Sequence, residues 1–261
     1  NHLSFISGAS RGFGRSFAIA IARQLQIKGE RGAMVLAARS KDGLGGTRDL
    51  VLQECKEAAV RVSCIEADLS GGPALHDAIE SFFSKPPEVP DGAHVMLVNN
   101  ACSVGPIGPV GEVDADDLRK ALEFNVVACH AATKRFLQLY HGRVSRCTVV
   151  NVSSLAAVQP INFMGVYCIG KAARDMMHRA FALEFPKVRV LNYAPGPMDT
   201  AMYDEILASY PASSRHSALP DKEALVDPNE SAARLVGLLE RDDFENGSHV
   251  DFFDLDHLRG S

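Results

Sequence analysis

The chain has 261 residues, of which 46% are hydrophobic and 23% are charged, so it is long enough to bury the core of one large globular domain. Its net charge of -5, without basic clusters interleaved with aromatics, argues against a nucleic-acid surface, and no apolar run has the length of a bilayer span. Six cysteines form no C-x-x-C pair and nine histidines form no H-E-x-x-H motif. This pattern predicts free thiols, a cytoplasmic location and no metal site.

The two ends of the sequence are expected to carry no function. No signal peptide is evident, and because the first residue is Asn1 and not Met, native residues are expected to precede it. The closing Arg259-Gly260-Ser261 is interpreted as a remnant of cloning.

The first predicted elements are a strand over residues 3–7, a glycine-rich turn and a helix over residues 15–27. The turn has the spacing G-x-x-x-G-x-G and reads Gly8-Ala9-Ser10-Arg11-Gly12-Phe13-Gly14. Glycines let a pyrophosphate approach the backbone, and the N-terminus of the next helix offers free N–H groups and a favourable dipole. These elements predict half of a dinucleotide-binding unit, with a plain glycine-rich turn as the alternative.

The end of the second predicted strand, over residues 33–38, bears on the choice of cofactor. An acidic residue there would bind the ribose 2′-OH of NAD, whereas arginine accommodates the 2′-phosphate of NADP. The strand is followed by Arg39 and Ser40, and Arg11 in the glycine turn is a second cation. Two arginines without a carboxylate favour NADP(H); two solvated surface arginines are the alternative.

Helices and strands continue to alternate along the chain. Helices are predicted over residues 49–59, 75–83 and 115–139, strands over 61–66, 94–98 and 147–152, and a proline-rich loop over 85–92. Asp68 and Leu69 follow the third strand. Asn99 and Asn100 end the fourth, where their amides would either bind an adenine edge or brace neighbouring loops.

A tyrosine and a lysine then share one face of a helix predicted over residues 166–185. Tyr167 and Lys171 are four positions apart, so both side chains can point into one cleft. A phenol titrates near pKa ~10, and a nearby ammonium is expected to lower that value. Ser154, thirteen residues before Tyr167 at the end of the fifth strand, would hold a carbonyl oxygen against the phenol. The set suits proton transfer to an alcohol oxygen, although Tyr-x-x-x-Lys also occurs by chance.

The last third of the chain completes the pattern. A strand is predicted over residues 188–193, a flexible lid over 208–227, a helix over 228–240 and a final strand over 248–253 that contains Asp251. Residues 1–261 are therefore predicted to form one α/β domain. Its core is a Rossmann-like, doubly wound parallel sheet of about seven strands with helices on both faces and a ligand crevice at the carboxyl ends of the strands.

These motifs together resemble the short-chain dehydrogenase/reductase family over essentially the whole chain. The resemblance rests on the glycine pattern, on Asp68, on the run Asn99-Asn100-Ala101, on the set Asn125, Ser154, Tyr167 and Lys171, and on the Pro195-Gly196 turn before Thr200. Within the family, pterin-reducing members are the nearest match, through residues 167–176, 188–197 and 249–254.

The resemblance implies NADPH-dependent reduction of the side-chain ketone of a 6-acyl pterin, in tetrahydrobiopterin synthesis. Tyr167 would donate the proton and Ser154 would bind the same oxygen. Lys171 would lower the pKa of Tyr167 and contact the nicotinamide ribose, and Asn125 would hold a water linking Lys171 to solvent. Asp251 would anchor the pterin, because a carboxylate can accept two parallel hydrogen bonds from the 2-amino group and the adjacent ring N–H.

The resemblance also implies the remaining contacts and the assembly. Substrate contacts are expected at Ser154, Tyr167, Gly196 and Asp251. Cofactor contacts are expected at Gly8, Ser10, Arg11, Gly12, Phe13, Gly14, Arg39, Asp68, Leu69, Asn99, Ala101, Tyr167, Lys171, Pro195, Gly196 and Thr200. A homodimer is expected through the two long helices.

One position departs from the family pattern, and two other functions stay open. Cys102 stands where the family usually has glycine after Asn-Asn-Ala, which would carry a cost if that position needs positive φ or close approach to the cofactor. Ser7 replaces the usual threonine and keeps the hydroxyl. The alternatives are a broader carbonyl or diketone reductase and a catalytically idle NADPH-binding regulatory protein.

Overall fold

The structure is a computed structural model that describes residues 1–55, 60–84, 92–212 and 219–259, with side chains up to residue 255. Among these residues, no helix combines the length and apolar character needed to cross a membrane.

Seven parallel strands form one sheet in the order β3-β2-β1-β4-β5-β6-β7. They are β1 (His2–Ser7), β2 (Gly32–Ala38), β3 (Val60–Glu66), β4 (His94–Asn99), β5 (Arg146–Val152), β6 (Val188–Ala194) and β7 (His249–Asp251). The order reverses between β1 and β4, and such a switch point opens a crevice at the carboxyl edge of the sheet. The predicted doubly wound sheet of about seven strands is confirmed.

Helices cover both faces of the sheet. They are α1 (Gly12–Lys28), α2 (Lys41–Glu54), α3 (Leu75–Phe83), α4 (Ala115–Leu122), α5 (Ala128–Tyr140), α6 (Gly165–Glu184), α7 (Ala201–Ser209) and α8 (Pro228–Arg241). Consecutive residues of β1 show the two layers. Ile6 packs with α1 and α8 on one face, whereas Phe5 packs with α3 and α5 on the other. Burial on both faces explains why the strands are almost continuously apolar.

Several element boundaries differ from the sequence predictions. Helix α2 begins at Lys41, well before residue 49, because the Ser40 hydroxyl caps it by accepting from the Gly43 N–H at 3.0 Å. The single helix predicted over 115–139 is interrupted by a π-helical segment, Glu123–Val127. The final strand ends at Asp251, because Asp254 accepts from the Asp251 N–H and Asp251 accepts from the Phe253 N–H, which turns the chain into a 3-10 helix.

Parts of three predicted segments lie outside the described residues: the end of the helix predicted over 49–59, nearly all of the loop over 85–92, and the centre of the lid over 208–227. The described flanks of the lid contain the end of α7 and a short 3-10 turn, Lys222–Ala224.

Candidate active site

The glycine turn between β1 and α1 is held in a form that only small residues permit. Gly8 and Gly12 have φ values of +66° and +56°, and a Cβ on Gly14 would lie 2.5 Å from the Gly8 carbonyl oxygen. The Asn100 amide braces the turn by donating to the carbonyls of Ser7 and Gly8, each at 3.0 Å. The turn is therefore a preformed cradle at a helix N-terminus, which fits the predicted pyrophosphate site.

A second set of contacts, not anticipated from the sequence, joins this turn to α2. Thr47 donates to the Ala9 carbonyl at 2.8 Å, and Arg15 donates to Thr47 at 3.0 Å and to the Ser10 carbonyl. Gly43 allows the approach, since a Cβ there would lie 2.8 Å from that of Ser10. Nothing in the spacing of these residues indicates this role, which depends on how α2 packs.

The two arginines predicted to select NADP(H) are both exposed, at places consistent with that role. Arg39 directly follows β2 and faces solvent. Arg11 lies in the turn and pairs with Glu205 of α7 at 3.1 Å. Phe13, another predicted cofactor contact, buries its side chain against Phe17, so only its backbone can face a ligand.

The asparagines at the end of β4 brace the fold, which is one of the two roles predicted for them. The amide nitrogen of Asn99 contacts Thr133 at 2.8 Å and His178 at 3.2 Å, and the side chain is buried. A cofactor contact through this amide is thus disfavoured. Asp68 is exposed and accepts from the Ser70 N–H, while Leu69 is buried in the core.

Ser154, Tyr167 and Lys171 lie together at the carboxyl end of β5, beside the first turns of α6. The Ser154 hydroxyl accepts from the Ala156 N–H at 3.2 Å and is near enough to the Tyr167 phenol to lower its pKa, whereas Ser153 is buried and donates to Asp175 at 2.5 Å. Lys171 Nζ donates to the Val152 carbonyl at 2.7 Å and lies 5.5 Å from the centroid of the Tyr167 ring. The structure thus favours Ser154 over Ser153, as the spacing predicted.

The protonation of this trio is governed by burial. Burial raises the pKa of Tyr167, opposed by the nearby Ser154 hydroxyl and the charge of Arg174, and burial lowers the pKa of Lys171. Desolvation therefore outweighs the charge of Arg174 in setting the direction of the shift, and the predicted lowering of the pKa of Tyr167 by Lys171 stays a prediction. The consequence suits reduction, since a neutral phenol is the form that can donate a proton.

Asn125 lies in the π-helical segment and is buried against α6. Its Oδ1 accepts from the Ser103 N–H and its Nδ2 donates to the Ser103 carbonyl, both at 2.9 Å. The carboxamide thus fixes the loop after β4, and π-helical segments often occur at functional sites. Its predicted role in holding a water stays a prediction.

Cys102 is accommodated without backbone strain. Among the described residues other than glycine, only Phe163 and Asp242 have positive φ, so this position does not require glycine for its backbone. The thiol donates to the Ser103 carbonyl at 3.6 Å, and its proximity to Lys171 opposes the lowering of the lysine pKa by burial.

A buried polar network lies beneath the trio and was not anticipated as such from the sequence. Arg174 is fully buried and donates to Asn151 at 2.8 Å and to the carbonyls of Asn99 and Ala101. Asp175 accepts from Asn151 at 2.9 Å, in addition to Ser153. The only signal in the sequence is that Tyr167, Lys171 and Asp175 follow at intervals of one helical turn.

The remaining predicted residues lie at the same edge of the sheet. Thr200 is next to the glycine turn, since a Cβ on Gly12 would be 3.6 Å from it. Gly196 has φ +79° and packs against Phe252 and Phe253. These phenylalanines directly follow Asp251, so the structure brings the end of β7 to the Pro195-Gly196 turn.

Comparison with known proteins agrees with this geometry. The family model for short chain dehydrogenase matches residues 3–211. The chain belongs to the short-chain dehydrogenase family. This membership confirms the prediction of an oxidoreductase that acts on alcohol and carbonyl groups and binds NADP(H).

The relatives indicate which members of the family this chain is similar to. Sepiapterin reductase of Bos taurus is 36% identical over 261 residues, covering 97% of this chain and 94% of the relative, and that of Mus musculus is 35% identical over 257 residues, covering 95% of each. Benzil reductase ((S)-benzoin forming) of Bacillus subtilis (strain 168) is 32% identical over 165 residues, covering 60% of this chain and 68% of the relative. The predicted similarity to pterin-reducing members is confirmed.

Solved structures share the fold. Levodione reductase has a TM-score of 0.78 at 22% identity and covers 96% of this chain and 95% of its own. The KRED1-Pglu enzyme has a TM-score of 0.75 at 24% identity and covers 96% of this chain and 100% of its own.

Proposed function

We propose that this protein uses NADPH to reduce the side-chain ketone of a 6-acyl pterin, converting sepiapterin to dihydrobiopterin and 6-pyruvoyl-tetrahydropterin toward tetrahydrobiopterin. The observation that carries the proposal is the near full-length similarity to sepiapterin reductases. It is supported by a carboxylate, Asp251, at the sheet edge that also holds Tyr167.

The chain's own residues fit the cofactor. The cradle formed by Gly8, Gly12 and Gly14 leaves no room for a Cβ at its centre, as a backbone-bound pyrophosphate requires. Arg11 and Arg39 offer charges for a 2′-phosphate. When bound, NADPH supplies the hydride.

The proton comes from Tyr167. Its raised pKa keeps the phenol protonated at neutral pH, and Ser154, which lies near the phenol, can bind the same ketone oxygen. Charge that develops on that oxygen is stabilised by two preorganised hydroxyl donors. Lys171 and Arg174 add positive charge nearby, and Asn125 fixes the loop that closes this side of the site.

Substrate choice is assigned to Asp251. The carboxylate is partly buried and uses Oδ1 to accept from the Phe253 N–H at 3.0 Å, so its position on the turn is fixed. A fixed carboxylate can accept paired hydrogen bonds from the 2-amino and ring N–H groups of a pterin, which a simple diketone lacks.

Steady-state kinetics of Asp251→Asn test the assignment. We expect kcat/KM for sepiapterin to fall about a hundredfold, because a site built to bind a polar group discriminates strongly, and kcat/KM for a simple diketone to change less than about threefold. Asp254→Asn, on the same turn, is the matched control and should show no such split between substrates.

The alternatives have distinct outcomes in the same assay. If Asp251→Asn lowers kcat/KM equally for both substrates, or if the wild-type protein turns over only diketones, the broader carbonyl reductase is favoured. The similarity of this chain to benzil reductases is in line with that alternative. Failure of every ketone to oxidise NADPH would favour a catalytically idle binding protein.

The exposed face of α6 supports the proposed assembly. Ile169, Met176 and Leu183 recur at seven-residue spacing on α6 and are 41%, 60% and 83% exposed, which forms an apolar stripe that a second copy would cover. A homodimer is proposed on this basis, and light scattering of Met176→Glu, which should be monomeric, tests it.

All six cysteines are free, which supports a cytoplasmic location.

A further inference from the structure

One ion pair in the buried network connects the catalytic helix to the last strand. His249, the first residue of β7, donates from Nδ1 to Asp175 Oδ2 at 2.6 Å. The other oxygen of that carboxylate accepts from Ser153 and Asn151, at the end of β5. A single carboxylate on α6 thus joins two strands to the helix that carries Tyr167 and Lys171.

The strand that His249 begins is short and lies at the edge of the sheet. β7 is an edge strand of three residues, paired only with β6, at Asn192, Tyr193 and Ala194. The Nε2 atom of His249 is buried and has no hydrogen-bond partner among the described residues. The orientation of the ring therefore depends on Asp175.

Asp251 faces the same side of the sheet as His249. Residues i and i+2 of a strand face the same side of the sheet, so Asp251 projects to the side of His249 and hence of α6. Val250, between them, packs in the core on the opposite side.

We propose that the Asp175–His249 pair is a positioning device for substrate, which holds β7 against α6 so that Asp251 faces the ketone site. The inference rests on the proposed function, because it concerns how the pterin anchor is aimed. His249 does not contact the reacting atoms and acts through Asp251.

The charges around His249 give the device a pH dependence. Its pKa is raised, mainly by the hydrogen bond to Asp175, with contributions from Asp175, Asp251 and Asp254 and against desolvation. Arg174, the adjacent cation on α6, directs its guanidinium to Asn151 and to the backbone of Asn99 and Ala101 instead. The ionic part of the pair is thus present below the raised pKa and lost as pH rises through it.

The test compares KM for sepiapterin with KM for a simple diketone in His249→Leu and His249→Asn. In His249→Leu the donor is lost, and we expect KM for sepiapterin to rise about tenfold with diketone kcat/KM changed much less. In His249→Asn, which can donate from a similar position, KM should be largely restored but without the rise that wild type shows at higher pH. Val250→Ala, which loosens the opposite face of β7, is the matched control and should not separate the substrates.

Two further outcomes separate this inference from the proposed function. If Asp251→Asn separates the substrates and His249→Leu lowers both activities equally, His249 is merely structural and the inference fails alone. If Asp251→Asn does not separate them, the pterin assignment itself fails. When His249 acts through Asp251, the double variant that combines His249→Leu with Asp251→Asn should lose no more kcat/KM for sepiapterin than Asp251→Asn alone. A merely structural role of His249 would not produce this non-additivity.

Discussion

His2 and His94 at the amino edge of the sheet differ from His249 at its carboxyl edge in the direction of their pKa shifts. At the amino edge, the rings of His2 and His94 meet edge to face at 5.0 Å, and His94 contacts the Thr148 hydroxyl at 2.8 Å. Burial, with the charge of Arg146 nearby, lowers the pKa of His2 to about 4 and of His94 to about 3. At the carboxyl edge, Asp175 raises the pKa of His249.

The difference shows where this fold keeps charge. Burying an ionised group is costly unless it is paired and hydrogen-bonded, so neutral rings are the simpler solution where no ligand binds. The carboxyl edge instead keeps Lys171, Arg174 and Asp175 buried and supplies each with hydrogen-bond partners. Buried charge is therefore retained beside the candidate active site, whereas His2 and His94 at the opposite edge are kept neutral.

The largest expected effect is on catalysis at the carboxyl edge. Tyr167→Phe removes the proton donor and should lower kcat about a thousandfold, while NADPH binding stays within about twofold. Tyr210→Phe is the matched control, since Tyr210 lies in the same apolar cluster but donates to the Asn162 carbonyl at 2.6 Å. Wild-type kcat in Tyr167→Phe would exclude the proposed acid.

Removing the buried charge of Arg174 should lower the stability of the fold. Arg174→Met leaves the carbonyls of Asn99 and Ala101 without their donor, so we expect the free energy of unfolding in urea to fall by about 3 kcal/mol. Arg179→Met, on the exposed face of α6, should change it by less than about 0.5 kcal/mol. Equal stability of the two variants would mean that the hydrogen bonds of Arg174 make no net contribution to the free energy of unfolding.

The smallest effect is expected at the amino edge and concerns the dependence of stability on pH. Because the pKa of His94 in the fold lies below its ordinary 6.5, its stabilising contribution is complete above pH 6.5 and is lost as pH falls toward 3. His94→Gln keeps the contact to Thr148 but cannot titrate. Between pH 6.5 and 4.5 it should lose about 1–2 kcal/mol less stability than wild type, with kcat at pH 7 unchanged. Parallel pH profiles of stability would contradict the neutral buried ring.

Much of the candidate site was predictable because its signals are local. Gly8, Gly12 and Gly14 are needed for close backbone approach, and Tyr167 and Lys171 share a helix face by their spacing. Two element boundaries were missed, one through a misread local signal and one because it depends on a distant contact. The start of α2 was hidden by its glycines and depends on the Ser40 cap, and the interruption around Asn125 coincides with a contact to Ser103 across the loop after β4.

The sequence by itself determined the alternation of strands and helices, the glycine turn and the catalytic trio, since each depends on periodicity or short spacing. Only the tertiary structure decided how charge is held around the trio. Arg174, Asp175 and His249 meet because α6 packs across the ends of β4, β5 and β7, and no short-range pattern records that packing. For the same reason the sign of the pKa shift of Tyr167 was decided by burial, which is a property of the fold and not of neighbouring residues in the chain.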